Sequence, residues 1–298
     1  TIINCVNRVN ITAYFYIGGI VGKINAGNNT NVKIEYCSNL GSLATTLSAG
    51  SGGTGSVCMG GIVGTNTSSK LTISKCFNSG SFTTGNTAGI GGIIGCNTVA
   101  GTVVSDVYNT SGITSNAGSA GIIGDNSEAA TGTIQRAHNV GAVKIGYEYG
   151  GGGPIVRDSY KKLTYINVYY LNGVCINTYN NRNTAMTDSK ATGLSSAQMK
   201  SAGSFSGFDF ENVWEMKADA AFPTLRPLTA KAATINSVSG GEFFYGDADC
   251  KAIVSATAPA GQTLSYQWYE IDTESNEGGT LIEGATSAEY KIPDDKAV

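Results

Sequence analysis

Acidic side chains are the first candidates for chemistry in this chain, because a pair of carboxylates can cleave a sugar linkage by acid and base or nucleophilic catalysis. Such a pair must share one face of the protein, about 5 to 9.5 Å apart. The acids in the repetitive part of the chain are Glu35, Asp106, Asp125, Glu128, Glu148 and Asp158. No two of them occupy the same position in neighbouring repeats, so the sequence predicts no catalytic carboxylate pair.

His138 is the only histidine, so every mechanism with an imidazole base depends on it. Within its repeat it takes the position that Phe77 and Tyr108 take in the two preceding repeats. That position favours a place in an aromatic stack over a catalytic role. One histidine and scattered acids also predict no specific metal site, and no pattern predicts a cofactor.

A glycine-rich pentad is the element that positions these residues. It reads Gly-Gly-Ile-Val-Gly at residues 18–22 and 60–64, and Gly-Gly-Ile-Ile-Gly at 91–95. Less regular copies follow at residues 120–124 and 152–156, so that the interval becomes about 30 residues. A period of this size indicates a solenoid. We expect the glycines to form tight corners that need positive φ.

A second motif recurs in phase with the pentad, as Ile-x-x-Cys-x-Asn at residues 34–39 and 73–78, with matching stretches at 104–109 and 134–139. A third short apolar stretch follows each copy. Three strand-like runs per repeat, separated by glycine and asparagine, predict an all-β fold: a right-handed parallel β-helix of about five coils with three short strands each. An insertion near residues 46–57 should loop off one edge.

Two columns of this β-helix have a predicted structural role. The asparagine column can form bends in the left-handed conformation and stack amide on amide along the axis; its members are Asn7, Asn39, Asn78, Asn109 and Asn139. The cysteine column, with Cys5, Cys37 and Cys76, continues as Val107 and Ala137. A column that accepts cysteine, valine and alanine is small and apolar, so we interpret these as core thiols rather than disulfides.

An outward strip of rings is the candidate binding surface. If Cys76 and Asn78 point inward, then Phe77 points outward, and so do Tyr108 and His138 in the next two coils. Rings at strand spacing could stack on sugar rings or on a partner protein. The alternative is that they pair across strands and only stabilise the sheet.

Composition excludes some classes of function. Charged residues make up 14% of the chain and the net charge is −3, which does not fit a nucleic-acid surface. No apolar run reaches the roughly 18 residues of a membrane span. The chain begins within a repeat, so we expect it to be a piece of a longer protein.

The two motifs in phase resemble the GLUG repeat of bacterial cell-surface proteins over residues 1–190. Residues 191–229 are similar to the segment that closes many such arrays, with a short polar helix near residues 194–201 followed by Phe208, Phe210, Trp214 and Phe222. We expect these aromatic residues to plug the open end of the β-helix, where strand edges and the apolar core would otherwise be exposed.

The sequence pattern changes near residue 229. Alternating strands at intervals of about 10 to 15 residues predict a β-sandwich over residues 230–298. This stretch resembles a bacterial Ig-like module, and the resemblance implies that Trp268 is its core tryptophan. We expect the module to be truncated, because the resemblance implies two further strands after Ile292 and a later partner for Cys250.

These observations predict a non-enzymatic, extracellular, adhesin-like protein of the bacterial cell surface. Its partner would be a host or microbial glycan or a protein surface, bound by a rigid monomer. The alternative is a carbohydrate-active β-helix enzyme, either a polysaccharide lyase or a glycoside hydrolase, because the parallel β-helix is a scaffold of both.

Overall fold

The structure is a computed structural model of the 298-residue chain. It describes residues 1–27, 30–46, 57–67, 70–83, 89–115, 118–146, 151–157, 162–181, 183–227, 234–240, 250–258, 264–271 and 279–293. The chain divides into two compact units, Thr1–Leu228 and Thr229–Val298. The predicted insertion loop at 46–57 lies almost wholly outside the described residues.

The first unit is a parallel β-solenoid of about five turns, which confirms the predicted fold class. Its longest face, here called the long sheet, stacks one strand or strand pair per coil. Each coil pairs in parallel with the coil before and after it. The strands of the long sheet are Ile2–Ile3, Val6–Asn7, Asn31–Glu35, Ser38–Asn39, Lys70–Asn78, Thr102–Asn109, Gly132–Asn139, Leu163–Leu171 and Thr192–Leu194.

The pentads bend in their middle, so a regular coil has four strands rather than the predicted three. The strands before the bend form the first pentad sheet: Tyr16–Gly18, Cys58–Gly60, Ile90–Gly91, Ser119–Ala120 and Gly152–Gly153. Those after it form the second pentad sheet: Val21–Ile24, Val63–Asn66, Ile94–Asn97 and Ile123–Asn126. The remaining face has Ile11–Ala13, Leu43–Thr45 and Phe82–Thr83, then Ile113–Ser115, Val143–Ile145, Cys175–Asn177 and Thr184–Ala185.

The interior is lined by inward columns of β-branched and small side chains. Ile34, Ile73, Val104 and Ile134 stack in register in the long sheet, and each is fully buried. The structure places Cys37 and Cys76 in the neighbouring column with 1% and 0% exposure, followed by Val107 and Ala137. Cys5 is exposed because it lies in the first coil. Burial raises the pKa of the Cys76 thiol well above its usual range.

One disulfide joins neighbouring coils at the pentad corner, and the sequence analysis did not identify it. Cys58 and Cys96 are 38 residues apart, with their Cα atoms 5.5 Å from each other. Gly89 follows Cys58 in its column, and a side chain there would overlap the Cys96 sulfur. A glycine one coil above Cys58 is therefore what makes room for this bridge.

The asparagine column forms a continuous hydrogen-bonded ladder. Each Nδ2 donates to the Oδ1 of the next coil, at 2.7 Å from Asn7 to Asn39, 2.8 Å from Asn39 to Asn78, and 2.9 Å at the following two steps, Asn78 to Asn109 and Asn109 to Asn139. Each amide also donates to the carbonyl two residues further along its own chain. From Asn39 onward the ladder is completely buried.

The glycine at the second position of each of the first four pentads packs against this ladder. A Cβ atom at Gly19, Gly61, Gly92 or Gly121 would overlap the side chain of Asn39, Asn78, Asn109 or Asn139, respectively, and a carbonyl of the next coil. None of these glycines has positive φ. The expectation of positive φ in the pentads was therefore wrong: these glycines are needed for space, not for an unusual backbone conformation.

The left-handed bend instead belongs to a column three residues before the asparagines. Its φ values lie between 47° and 57°, at Asn4, Tyr36, Lys75, Asp106, Arg136 and Asn167. A non-glycine residue in this region is uncommon, and six in one column define a repeated corner. The ladder asparagines have no positive φ, so the predicted bend at those positions is corrected.

The aromatic C-terminal segment covers a side of the solenoid rather than its end. It contains the helix Ser196–Met199, the 3₁₀-helix Ala202–Ser204 and the hairpin of Trp214–Glu215 with Thr224–Leu225; a further 3₁₀-helix lies earlier, at Tyr179–Asn181. A capping box between Ser195 and Gln198 starts the helix. We call residues 195–226 the cap. Trp214 is fully buried in it, against rings of the long sheet.

The predicted end plug is corrected for a physical reason. Phe77, Tyr108 and Tyr169 make the outer face of the long sheet apolar over several coils, and the cap packs with them in one cluster. Leaving these rings in water would be unfavourable, and the cap buries them.

The second unit contains two small antiparallel sheets. One has the strands Thr234–Ser239, Lys251–Thr257 and Glu289–Lys291, and the other pairs Tyr269–Glu270 with Thr280–Leu281. Trp268 is half-buried; it stacks on Tyr290 and donates to the Ser287 carbonyl at 2.8 Å. Among the described residues of this unit only Cys250 is buried. Trp268 is thus less enclosed by the described residues than the predicted core tryptophan would be.

Replacing Asn78 by alanine should destabilise the first unit by about 3 kcal/mol, because it leaves one donor hydrogen of Asn39 and the Gly80 carbonyl without these partners in a buried site and removes one of the two hydrogen bonds that Asn109 Oδ1 accepts. Urea unfolding measures the change. Asn31→Ala, at an exposed position of the same sheet, is the control and should cost less than about 0.5 kcal/mol. Equal losses would contradict the role of the ladder.

Candidate functional site

Asp106 is a structural carboxylate. Arg136 donates to both of its oxygens, at 2.7 and 2.8 Å, and the indole Nε1 of Trp214 donates to Oδ1 at 3.2 Å. Asp106 is 5% exposed. The cap therefore lies over Asp106, and its Trp214 indole is held by this carboxylate.

The other acids of the repeats are dispersed. Asp125 binds Arg157 Nη1 at 3.1 Å on the second pentad sheet, on a different face from Asp106. Burial raises the pKa of Asp125, and the charge of Arg157 opposes this shift. Glu35 binds Lys33 and Ser74, both at 2.8 Å, and Glu128 is exposed. Glu148 and Asp158 lie outside the described residues.

The ring strip exists, but it is not a free surface. Phe77 and Tyr108 stack with centroids 4.9 Å apart and parallel planes, and Tyr108 and His138 follow at 5.2 Å. The cap covers them, with Trp214 5.5 Å and Phe222 5.8 Å from the His138 ring. Tyr108 is 6% and His138 0% exposed, while Phe77 is half-buried. The proposed binding strip is thus corrected: its rings bind the cap of their own chain.

His138 is held in one neutral form. Its Nε2 lies 2.8 Å from the Pro223 carbonyl oxygen, which can only accept, so Nε2 carries the proton. Nδ1 is buried and has no hydrogen-bond partner among the described residues. Burial lowers the pKa of His138 to about 4. The only imidazole of the chain is therefore closed to a substrate.

A cavity of about 310 Å³ lies where the last pentad ends. One side is formed by the fifth pentad and Arg157, and the other by Tyr165 and a non-repetitive stretch at residues 187–190. Its lining residues are Gly151, Gly152, Gly153, Val156, Arg157, Tyr165, Thr187, Asp188, Ser189 and Lys190. The sequence analysis missed this site, although the proline in the fifth pentad and the arginine after it marked a departure from the repeat.

The charged groups of the cavity are positioned by the fold. The Arg157 side chain runs over Gly118, where any Cβ would overlap it, and its guanidinium reaches Asp125. Lys190 Nζ donates to the Leu163 carbonyl at 2.8 Å and lies 5.5 Å from the centre of the Tyr165 ring. The Asp188 carboxylate accepts from the Lys190 backbone N–H at 3.0 Å. Cationic, hydroxyl and aromatic side chains thus line the cavity, together with the glycines at residues 151–153.

The comparisons with known proteins support the fold. The chain is similar to a crystal structure from Bacteroides ovatus named a "putative immunoglobulin A1 protease", with a TM-score of 0.54 and 16% sequence identity. The similarity covers 73% of this chain and 66% of the other, just under two thirds of its length. At this identity the likeness shows a shared fold only. No protein-family model matches the chain, and neither does any curated protein.

Among the described residues there is no helix that combines the length and the apolar character required to cross a membrane. Within the same residues, no group of three or more histidine, cysteine or acidic side chains is arranged to hold a metal ion.

The buried neutral His138 should make the first unit less stable as the pH falls. Its pKa is about 4 when folded and about 6.5 when unfolded, so only the unfolded chain gains a proton in this window. Between pH 6.5 and 4 the free energy of unfolding should therefore fall by about 3 kcal/mol from this group alone. Urea unfolding followed by Trp214 fluorescence, in a Trp268→Phe background, measures it.

His138→Phe is the matched variant, because Phe77 already occupies the same column. It should lose the histidine part of the pH dependence while keeping the cap in place. Identical pH profiles for the two proteins would show that His138 is not held neutral beneath the cap.

Proposed function

We propose that this chain is a non-enzymatic, adhesin-like module of a bacterial cell-surface protein, which presents a rigid surface to a glycan or protein partner. One observation carries the proposal: the cap covers the groups of the long sheet that could do chemistry, since the only histidine is completely buried and bonded to Pro223 and the Asp106 carboxylate binds Trp214 of the cap.

Three further observations support this function. The resemblance of residues 1–190 to GLUG repeats favours a cell-surface role, and it rests on two motifs that recur in phase. The disulfide between Cys58 and Cys96 favours an oxidising, extracellular compartment, because cytosolic thiols are kept reduced. A solenoid stacked through ladder hydrogen bonds is also a stiff support for a binding surface.

The alternative is a carbohydrate-active enzyme, either a polysaccharide lyase or a glycoside hydrolase. Asp125 is the observation that favours it, because burial raises the pKa of this carboxyl and its partner Arg157 lines the cavity. A carboxyl with a raised pKa can serve as a general acid. Peptide hydrolysis, which the name of the Bacteroides ovatus protein attaches to that protein, would need a base; here a histidine base could only be the buried His138.

Incubation of the full chain with a panel of polysaccharides and peptides should give no new reducing ends, unsaturated sugars or peptide fragments, while a glycan or protein array should retain the folded chain. Product release that is lost in Asp125→Asn or Asp106→Asn would overturn the proposal in favour of an enzyme. Trp214 fluorescence must show an intact cap in both variants, because Asp106 also binds the indole.

A further inference from the structure

A pair of backbone N–H groups recurs at each pentad corner. In each of the first four pentads, two consecutive N–H groups donate to one carbonyl oxygen of the next coil. Ile20 and Val21 donate to Ile62 at 3.1 and 3.0 Å, and Ile122 and Ile123 donate to Ile155 at 2.8 and 3.1 Å. The two pairs between them converge in the same way, on the carbonyls of Ile93 and Ile122. Each corner is therefore a small backbone cradle for one oxygen atom.

The fifth pentad carries the same pair without the same acceptor. Val156 lies in register with Ile123, so Ile155 and Val156 stand where Ile122 and Ile123 stand one coil earlier. All four earlier pairs donate toward the following coil, and this pair faces the same direction. At that level the chain has residues 187–190 instead of a pentad, and no described residue supplies a carbonyl to these two N–H groups.

The cavity described above lies on this side of the fifth pentad. Val156 and Arg157 line it, and residues 187–190 form the opposite wall. Arg157 supplies a further donor: its Nη1 binds Asp125, but its Nε is buried and has no hydrogen-bond partner among the described residues. The residue of one backbone donor, Val156, and the residue of a guanidinium donor, Arg157, thus line one cavity, and the N–H of Ile155 is the neighbouring member of the same backbone pair. Buried donors of this kind are normally satisfied by a ligand or by water.

The chemistry of these donors selects an anionic oxygen. A cradle that holds a carbonyl oxygen also holds a carboxylate oxygen, and an adjacent guanidinium strengthens the bond through its charge. Lys190 is a second cationic residue in the lining. The nearby carboxylates are those of Asp188, which also lines the cavity, and of Asp125, which is paired with Arg157. The remaining polar groups, the hydroxyls of Thr187 and Ser189 and the carboxylate of Asp188, are suited to sugar hydroxyls.

We propose that this cavity binds the carboxylate of an acidic sugar, a uronic or sialic acid residue, with the N–H groups of Ile155 and Val156 and the side chain of Arg157 as its ligands. The volume of about 310 Å³ is at the lower limit for ligand pockets, which fits a terminal sugar residue rather than a long stretch of polymer. This site rests on the proposed binding function and specifies its ligand class.

Titration of the ¹⁵N-labelled full chain with N-acetylneuraminic acid or glucuronic acid tests the site directly. The amide signals of Ile155 and Val156 should move downfield with either acid. Their methyl esters, which keep the ring but lose the charge, should bind at least about tenfold more weakly. Acetate separates the two parts of the proposal: it should move the same signals, but only at much higher concentration.

Arg157→Gln should weaken binding of the acid about tenfold or more, whereas Arg8→Gln, at an exposed position of the first coil, should leave it unchanged. The amide shifts of the unaltered chain keep the test valid if Arg157→Gln unfolds. Shifts that avoid Ile155 and Val156, or equal binding of acid and ester, would overturn the site.

The outcomes also separate this site from the proposed function. Binding of a glycan on an array without shifts at Ile155 and Val156 would remove the site and leave the binding function. Conversely, chemical conversion of a bound acidic sugar would overturn the non-enzymatic function and leave the site in place.

Discussion

The asparagine ladder and the glycines packed against it are the constraint on which the solenoid depends. A buried amide has two donor hydrogens and an acceptor oxygen, and leaving them unpaired in an apolar core is costly. Stacking the asparagines in successive coils pairs these groups from one coil to the next, but only if the coils stay in register. The pentad glycines allow the pentad backbone to pack directly against the ladder, since any Cβ at Gly61 or Gly92 would overlap an asparagine side chain of the ladder. The glycine pentad and the asparagine motif therefore pack against each other.

The coils of the solenoid and the positions that stack in columns could be predicted from the sequence, because each repeat contains the same local pattern. The inward positions of Cys37 and Cys76 and the register of the ladder follow from spacing alone. The reason for the glycines could not be predicted, because their steric partner comes from a different motif. The left-handed column gave no consistent signal, since tyrosine, lysine and arginine, the residue types at Tyr36, Lys75 and Arg136, do not mark such a bend.

The candidate site was harder to predict, because its parts are distant in sequence. Phe77, Tyr108 and His138 were placed correctly as a stack that faces away from the core, but spacing cannot show that a segment about 80 residues later folds over them. The cavity forms where the repeat stops, so the pattern that predicts the fold contains no information about it. The proposed site lies at this interruption, while Asp106 and His138 within the repeat hold the cap.

Hydrogen exchange of the asparagine side-chain amides, measured by NMR, tests the central claim most directly. If the ladder holds the coils together, the amide protons of Asn39, Asn78, Asn109 and Asn139 exchange only when the first unit unfolds, with a free energy equal to that of global unfolding. The exposed amide of Asn31 exchanges at the rate of a free side chain. Exchange of the ladder amides at that same fast rate would contradict the account.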